Sequence, residues 1–371
     1  MKIIKNILKA ILSLVIGFGI GMLIASLWFD FQEKELVKEI TEAYGHDTCY
    51  QYHYSKLDEE DQDTYRRLYY AFSTFSEEIT IKENNVDEAT KVYYAVLDDH
   101  PEFYYIKMEY EYYEGDEIVI LPTYQYSKEE VEQFNQQITK NTQDIINQVK
   151  NQKNEIDKIE TAYEYIIENT TYKANENDQH MLSVFVQKES VCAGYAKAYQ
   201  YILNKAGVDA SYIAGKSKET DKEKSEGHAW VMIHFNNDYY YSDPTWGDIE
   251  DKDMKHPCKA YFFMGSDEML KHYKPDLFYE GTIGDYNYFK DIGCYLEEYD
   301  RKAVSNAVKY SLSQEINVVE IKCANKEVYK QLENKIENEY LAYYVLKEND
   351  CYSVEASYSC DEKNLMIEIY Y

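Results

Sequence analysis

Two asparagines set between apolar runs constrain this chain more than any other feature. Asn236-Asn237 separates His228–Phe235 from Asp238–Asp243, both of which are rich in aromatic or aliphatic residues. Asparagine tolerates the left-handed backbone that a two-residue hairpin turn requires, so the pair predicts a hairpin. With that turn, Phe235 faces Asp238, and the same register places His228 opposite Thr245. Asp243 is then the diagonal neighbour of His228 on the same face. A slip of one residue would send the imidazole and the carboxylate to opposite faces, so the register is a constraint on any chemistry they share.

Upstream, Ser190-Val191-Cys192-Ala193-Gly194-Tyr195-Ala196 opens a helical pattern that runs to about Lys205 and is terminated by Gly207. A thiol at a helix N-terminus meets the positive end of the dipole and unpaired backbone N–H groups, which favour the thiolate. For a cysteine on its own, a buried packing role is the default. Here a histidine and an aspartate follow on one hairpin, and Cys192, His228 and Asp243 become the candidate catalytic residues.

The segments VCAGYAKAYQYILNKAG, GHAW and YYYSDPTWGD, in this order and spacing, resemble the transglutaminase-like core of the papain-like thiol enzymes. The resemblance covers roughly Ile156 to Tyr273. The flanks DDHPEFYYIK and YFFMGSDEML-KHYKPD resemble those of exported bacterial members. It implies an α+β fold in which Cys192 is the nucleophile and His228 and Asp243 complete a triad. One departure stands directly after HAW, where many members have Asn and this chain has Val231. The residue types imply the mechanism: Cys192 attacks an amide carbonyl to form a thioester. His228 moves the proton, and Asp243 orients the imidazole. The backbone N–H of Cys192 is expected as one oxyanion donor. The second is open between Gln179 and Gln187, for both of which a surface position is the commoner outcome. His180, also near the nucleophile, reads as a surface or packed residue.

Charge narrows the partners. The chain of 371 residues carries 68 acidic and 39 basic side chains, a formal charge of −29. Such a surface repels phosphate backbones, so no nucleic acid is expected, and it favours neutral or basic protein and peptide substrates. Forty-two tyrosines exclude disorder as the main state. The seven cysteines form no CxxC pair and the histidines no HExxH, so neither metal nor cofactor is expected. An odd count leaves one thiol over in an oxidising compartment, and Cys351 and Cys360, at the two ends of an expected strand, are too far apart to pair.

The N-terminus differs in kind. Lys2, Lys5 and Lys9 precede an uncharged run, Ala10–Phe29, after which come Asp30, Glu33 and Glu35. A helix of that length spans a bilayer at about 1.5 Å per residue. The charge bias predicts a single-pass anchor with the remainder outside the cell. A cleaved signal is the weaker reading, because Leu23-Ile24-Ala25-Ser26 is a poor cleavage site. Gly17 and Gly21 form a GxxxG pair whose ordinary meaning is small lipid-facing residues.

The expected organisation is an anchor at 1–30, an N-terminal helical and hairpin region at 31–150, the catalytic core at 151–275, and a small α+β domain at 276–371. Helices are expected over Asp58–Phe75, Asp87–Asp98 and Lys326–Glu339, and another behind the capping box Ser127-x-x-Glu130. Strands are expected over Phe103–Tyr113, Ile118–Leu121, Ile316–Cys323, Tyr352–Ser359 and Leu365–Tyr371. The densely charged loop Lys216–Gly227 reads first as a solvated charge run, and its position leading into His228 allows a gate over the cleft as the minor alternative. The resulting expectation is a membrane-anchored extracytoplasmic thiol enzyme acting on protein or peptide amides, with hydrolysis favoured over crosslinking. The competing expectation is a catalytically silent scaffold that binds partners in the cell envelope.

Overall fold

The computed structural model describes residues 2–45, 49–82, 85–115, 117–218, 227–248, 256–276, 286–351 and 356–371, without the side chains of 2–17 and 19. Most of the charged loop Lys216–Gly227 therefore lies outside the described residues. The chain divides into two compact units: residues 1–97 with 105–125, and residues 98–104 with 126–371.

In the first unit, helix α1 (Lys2–Tyr44) does not stop at the end of the apolar run. Asp30–Tyr44 contains no proline or glycine, and the helix ends only where Gly45 follows. The anchor expected over 1–30 is thus the first part of a longer helix, and its first half falls on side chains outside the described ones. Among the described residues, no helix is long and apolar enough to cross a membrane. Within the unit, Glu33 of α1 pairs with the buried Arg67 of α2 (Glu59–Thr74), which also holds Asp63. Asp58 caps α2 by accepting from the backbone N–H groups of Glu60 and Asp61. Strand β1 (Ile79–Ile81) and helix α3 (Val86–Asp99) follow. The strand expected from Phe103 begins only at Glu111, because Pro101 starts a 3₁₀ turn over Pro101–Phe103. Strands β2 (Glu111–Glu114) and β3 (Ile118–Leu121) complete a sheet of order β1-β3-β2.

The second unit opens with α4 (Lys128–Lys150), whose capping box at Ser127 and Glu130 is fully formed, and α5 (Glu155–Glu168), capped by Asn154. Helix α6 (Cys192–Lys205) buries Tyr195, Ala196, Ala198, Tyr199, Ile202 and Leu203. It packs on an antiparallel sheet made of β4 (Ala210–Ser217), β5 (Gly227–Phe235), β6 (Asp238–Ser242) and, after the short helix α7 (Pro244–Gly247), β7 (Tyr273–Pro275). The strand order is β6-β5-β4-β7. Asn236 and Asn237 both have positive φ, 53° and 66°, and Phe235 pairs with Asp238 as the turn requires.

A second sheet lies in the C-terminal part of this unit. Strand β8 (Tyr295–Leu296) pairs parallel with β9 (Val318–Cys323), and α8 (Arg301–Ser313) packs on β9. Helices α9 (Lys326–Glu339) and α10 (Leu341–Glu348) precede β10 (Ser357–Asp361) and β11 (Met366–Tyr370). The order is β8-β9-β11-β10. Helices α8 and α10 were not expected. The strand expected from Tyr352 lies partly outside the described residues, and its described part starts at Ser357. No disulfide is formed among the described residues, and Cys258, Cys294 and Cys323 are buried thiols.

Candidate active site

The three candidate residues come from three different local devices. Cys192 is the first residue of α6, and its backbone enters the helix from an extended Val191 that makes no side-chain cap. A close approach fixes that entry: a Cβ on Gly194 would collide with Ser190 Oγ, with Asp178 O and with His180 O. The loop before the helix is itself pinned, since Ser190 Oγ lies 2.6 Å from Ser183 Oγ and donates to Asp178 O at 3.0 Å.

His228 lies in β5, where its ladder partner is Gly215 of β4. Pairing with β6 runs only from Phe235 to Val231, so His228 stands beyond the hairpin ladder and does not face Thr245. The expected diagonal geometry is replaced by another. Pro244 cannot donate to a ladder, and the chain turns into α7 with Asp243 as its N-cap. Asp243 Oδ1 accepts the backbone N–H groups of Thr245 at 2.9 Å and Trp246 at 3.2 Å. The other oxygen, Oδ2, accepts from His228 Nε2 at 2.6 Å. The carboxylate is fully buried, and 7% of the imidazole side chain is exposed.

Cys192 stands close enough to His228 to act on its charge, alongside the stronger influence of Asp243. Burial disfavours the imidazolium, but the charge and hydrogen bond of Asp243, with a smaller contribution from Cys192, outweigh it and raise His228 from 6.5 to about 10. Cys192 keeps partial access to solvent, as a nucleophile must.

Tyr273 is the residue that sequence reasoning missed. It sits in β7, opposite Ser217 of β4, and donates its hydroxyl to Asp243 Oδ2 at 2.7 Å. Its ring stacks parallel to His228 with centroids 5.7 Å apart, and Trp246 stacks at 5.0 Å. Nothing in the spacing could have announced it, because 30 residues separate Tyr273 from Asp243. Tyr163 supports the same turn from α5: its hydroxyl donates to Cys258 O at 2.8 Å and reaches Asp243 O at 3.4 Å. A Cβ on Gly247 would strike that hydroxyl, which accounts for the glycine after DPTW.

Neither glutamine stands over the nucleophile as a marked donor. Gln179 is exposed and its amide is spent on Asp178 Oδ1 at 2.9 Å, and Gln187 is exposed. His180 is part-buried and, through burial and the nearby Lys197, lowered to about 3, which keeps it neutral. Val231 is fully buried in the middle of the sheet, where an apolar side chain fits.

The site thus sets a thiol at a helix start near an imidazole that a capping carboxylate holds. Residues 143–244, which contain all three side chains, match the sequence model of the transglutaminase-like superfamily. Among solved structures, the chain is similar to a TGase at 16% identity, covering 40% of this chain and 47% of that one with a TM-score of 0.29. It is also similar to the periplasmic domain of TgpA from Pseudomonas aeruginosa, at 15% identity, 35% and 53% coverage, and a TM-score of 0.25. The chain thus spans about half the length of each of these structures. No curated protein matches it.

Proposed function

We propose that this protein is a thiol enzyme that cleaves amide bonds of proteins or peptides through a thioester on Cys192. The observation that carries the reading is His228 held by Asp243 at 2.6 Å, with Cys192 at the start of the helix contributing to its raised pKa. In the resting state the raised imidazole holds a proton, and the reacting form of this proposal is its ion pair with the Cys192 sulfur. The sulfur attacks the substrate carbonyl, and the negative charge that develops on oxygen is met by the backbone N–H of Cys192. His228 gives its proton to the leaving amine, and the thioester forms. Water, deprotonated by the now neutral imidazole, then releases the acyl group and restores the thiol. Asp243 keeps the imidazole oriented and steadies its cationic form throughout.

Hydrolysis is preferred over transfer to a lysine amine; the two share every step up to the thioester and differ in how well the site excludes water. The formal charge of −29 favours neutral or basic substrates. The catalytic unit is assigned to the outside of the cell, held by residues 10–29 in the bilayer. The support for that anchor is the uncharged run itself, together with a row of exposed apolar side chains on α1: Phe18, Met22, Leu23, Ile24, Leu27 and Phe29.

The test uses a casein-type protein and an amine probe with the full chain. Fragments are expected from the unaltered protein and none from Cys192→Ala or His228→Ala, while Asp243→Asn should keep a measurable remnant. Because these groups act together, Cys192→Ala/His228→Ala should be no worse than Cys192→Ala alone. Full turnover by Cys192→Ala would remove the mechanism and leave the scaffold reading. Probe incorporation without fragments would replace hydrolysis by acyl transfer.

A further inference from the structure

Away from the cleft, on the face of the C-terminal sheet, two carboxylates are direct partners across the β9–β11 ladder: Glu320 and Glu368. They are 8% and 5% exposed. Like charges directly opposite one another on a sheet are unfavourable, and burial makes them more so. The chain following α7 lays a thiol over the pair. Cys258 is 4% exposed, and ligand atoms of Cys258, Glu320 and Glu368 lie within 4.8 Å of one another. Beside them His256 Nε2 stands 3.4 Å from Glu320 Oε2 without forming a hydrogen bond.

The lone pairs are only partly used. Glu320 Oε1 accepts from the backbone N–H of Lys259 at 2.7 Å, and Glu368 Oε2 from the Tyr370 hydroxyl at 2.6 Å. Glu368 Oε1 is buried and has no N–H or O–H donor; the Cys258 sulfur is the group beside that carboxyl. The neighbouring ammonium groups are engaged elsewhere. Lys259 Nζ pairs with Glu160 at 2.7 Å and Glu164 at 2.6 Å, and Lys322 Nζ pairs with Glu268. A thiol and two carboxyl groups therefore converge from a loop and two strands, with His256 beside them.

The geometry points to a structural zinc site formed by Cys258, Glu320, Glu368 and His256. Thiolate, carboxylate and imidazole together are a zinc donor set, whereas magnesium and calcium take oxygen ligands. Tetrahedral zinc with bonds of about 2.0–2.3 Å holds its ligand atoms about 3–4 Å apart, so side-chain adjustment closes the cluster of Cys258, Glu320 and Glu368, and His256, beside Glu320, would swing in as the fourth ligand. On binding, the Cys258 S–H bond breaks, its proton leaves to solvent, and the sulfur forms the metal bond. The site would fasten a segment that also supports the cleft. Cys258 N–H donates to Gly247 O at 2.9 Å, and Cys258 O accepts from Tyr163. The simpler arrangement, a proton shared by two carboxyl groups, leaves His256 Nε2 without a hydrogen-bond partner.

The test takes full-length protein carrying Cys192→Ala, so that the cleft thiol cannot bind metal. After equilibration with zinc sulfate and removal of excess, elemental analysis should find about one zinc per chain. Cobalt(II) in its place should give a thiolate-to-cobalt charge-transfer band, and chelation should lower the melting temperature. Adding Cys258→Ser or Glu368→Gln should weaken zinc binding at least tenfold, and the cobalt band should vanish with Cys258→Ser. Should either substitution prevent folding, the cobalt spectrum of the protein with Cys258 intact still decides. Substoichiometric zinc with no thiolate band, or undiminished binding in both folded variants, would overturn the site. The outcome is independent of any activity at Cys192.

Discussion

Tyr273 and His228 donate to the same oxygen: Asp243 Oδ2 accepts the phenol at 2.7 Å and the imidazole at 2.6 Å. Counting the two backbone N–H groups on Oδ1, this fully buried carboxylate accepts four hydrogen bonds. Tyr273→Phe removes one donor and keeps the ring that stacks on His228. The loss of a hydrogen bond to a buried charge is expected to cost about 1.5–3 kcal/mol, read from urea unfolding. The imidazole should rise further, because Asp243 retains more of its charge. An NMR titration in which His228 stays put or falls would show that the phenol does not act through Asp243.

Stability should depend on pH in a definite direction. His228 is raised from 6.5 to about 10 in the folded chain. Its contribution is fully present below about pH 6.5, where folded and unfolded forms both hold the proton, and is lost as pH rises toward about 10. In Asp243→Asn the main cause of the rise is gone. The unaltered protein should therefore lose stability relative to that variant between about pH 6.5 and 10. A difference between the two proteins that stays constant across this window would contradict the ion pair.

Gly194→Ala sets two effects against each other. Alanine in a helix is favoured over glycine by about 1 kcal/mol. The added methyl would meet Ser190 Oγ and two backbone oxygens, and overpacking of this kind costs about 1–3 kcal/mol or more. The steric cost wins because backbone atoms cannot swing aside. A lower melting temperature is expected, together with reduced turnover, since Cys192 lies in the same first turn. A higher melting temperature would mean that the loop before α6 yields.

The N-terminal helix offers a pair of truncations. Removal of residues 1–30 is expected to release the protein from membranes while sparing Glu33, the partner of Arg67. Removal of residues 1–44 deletes that partner and the buried Ile40 as well. Stripping a partner from a buried charge costs about 3–5 kcal/mol, moderated here by Asp63. The longer deletion should therefore yield a less stable first unit in proteolysis or thermal melts. A mature chain starting near Ser26 in the culture fluid would instead indicate a cleaved signal.

Much of the site was legible because it depends on local rules. The turn at Asn236-Asn237 and the helix behind Cys192 each follow from a few adjacent residues. The register at Phe235 and Asp238 holds, but its continuation to Thr245 does not, since Pro244 ends the ladder and Asp243 turns to cap α7. That outcome could have been read from Asp-Pro, a capping residue before a first-turn proline. Tyr273 and Glu320 could not, because their roles exist only after distant strands meet. Helices α8 and α10 escaped because their apolar faces are short and interrupted by tyrosine and lysine. Phe103–Tyr113 was over-read as strand because aromatic density suits a pleated surface as well as a packed turn.

The stack around His228 has an optical consequence. The sequence contains three tryptophans, and two of them, Trp230 and Trp246, have ring centroids 6.2 and 5.0 Å from the imidazole. A protonated imidazole at such a distance quenches indole emission, so the intrinsic fluorescence of the protein carries a record of the charge on His228. The third tryptophan, Trp28, leaves with the first thirty residues. The shortened chain is then its own dye-free indicator, in which a reagent that consumes the sulfur of Cys192 announces itself as a change in brightness.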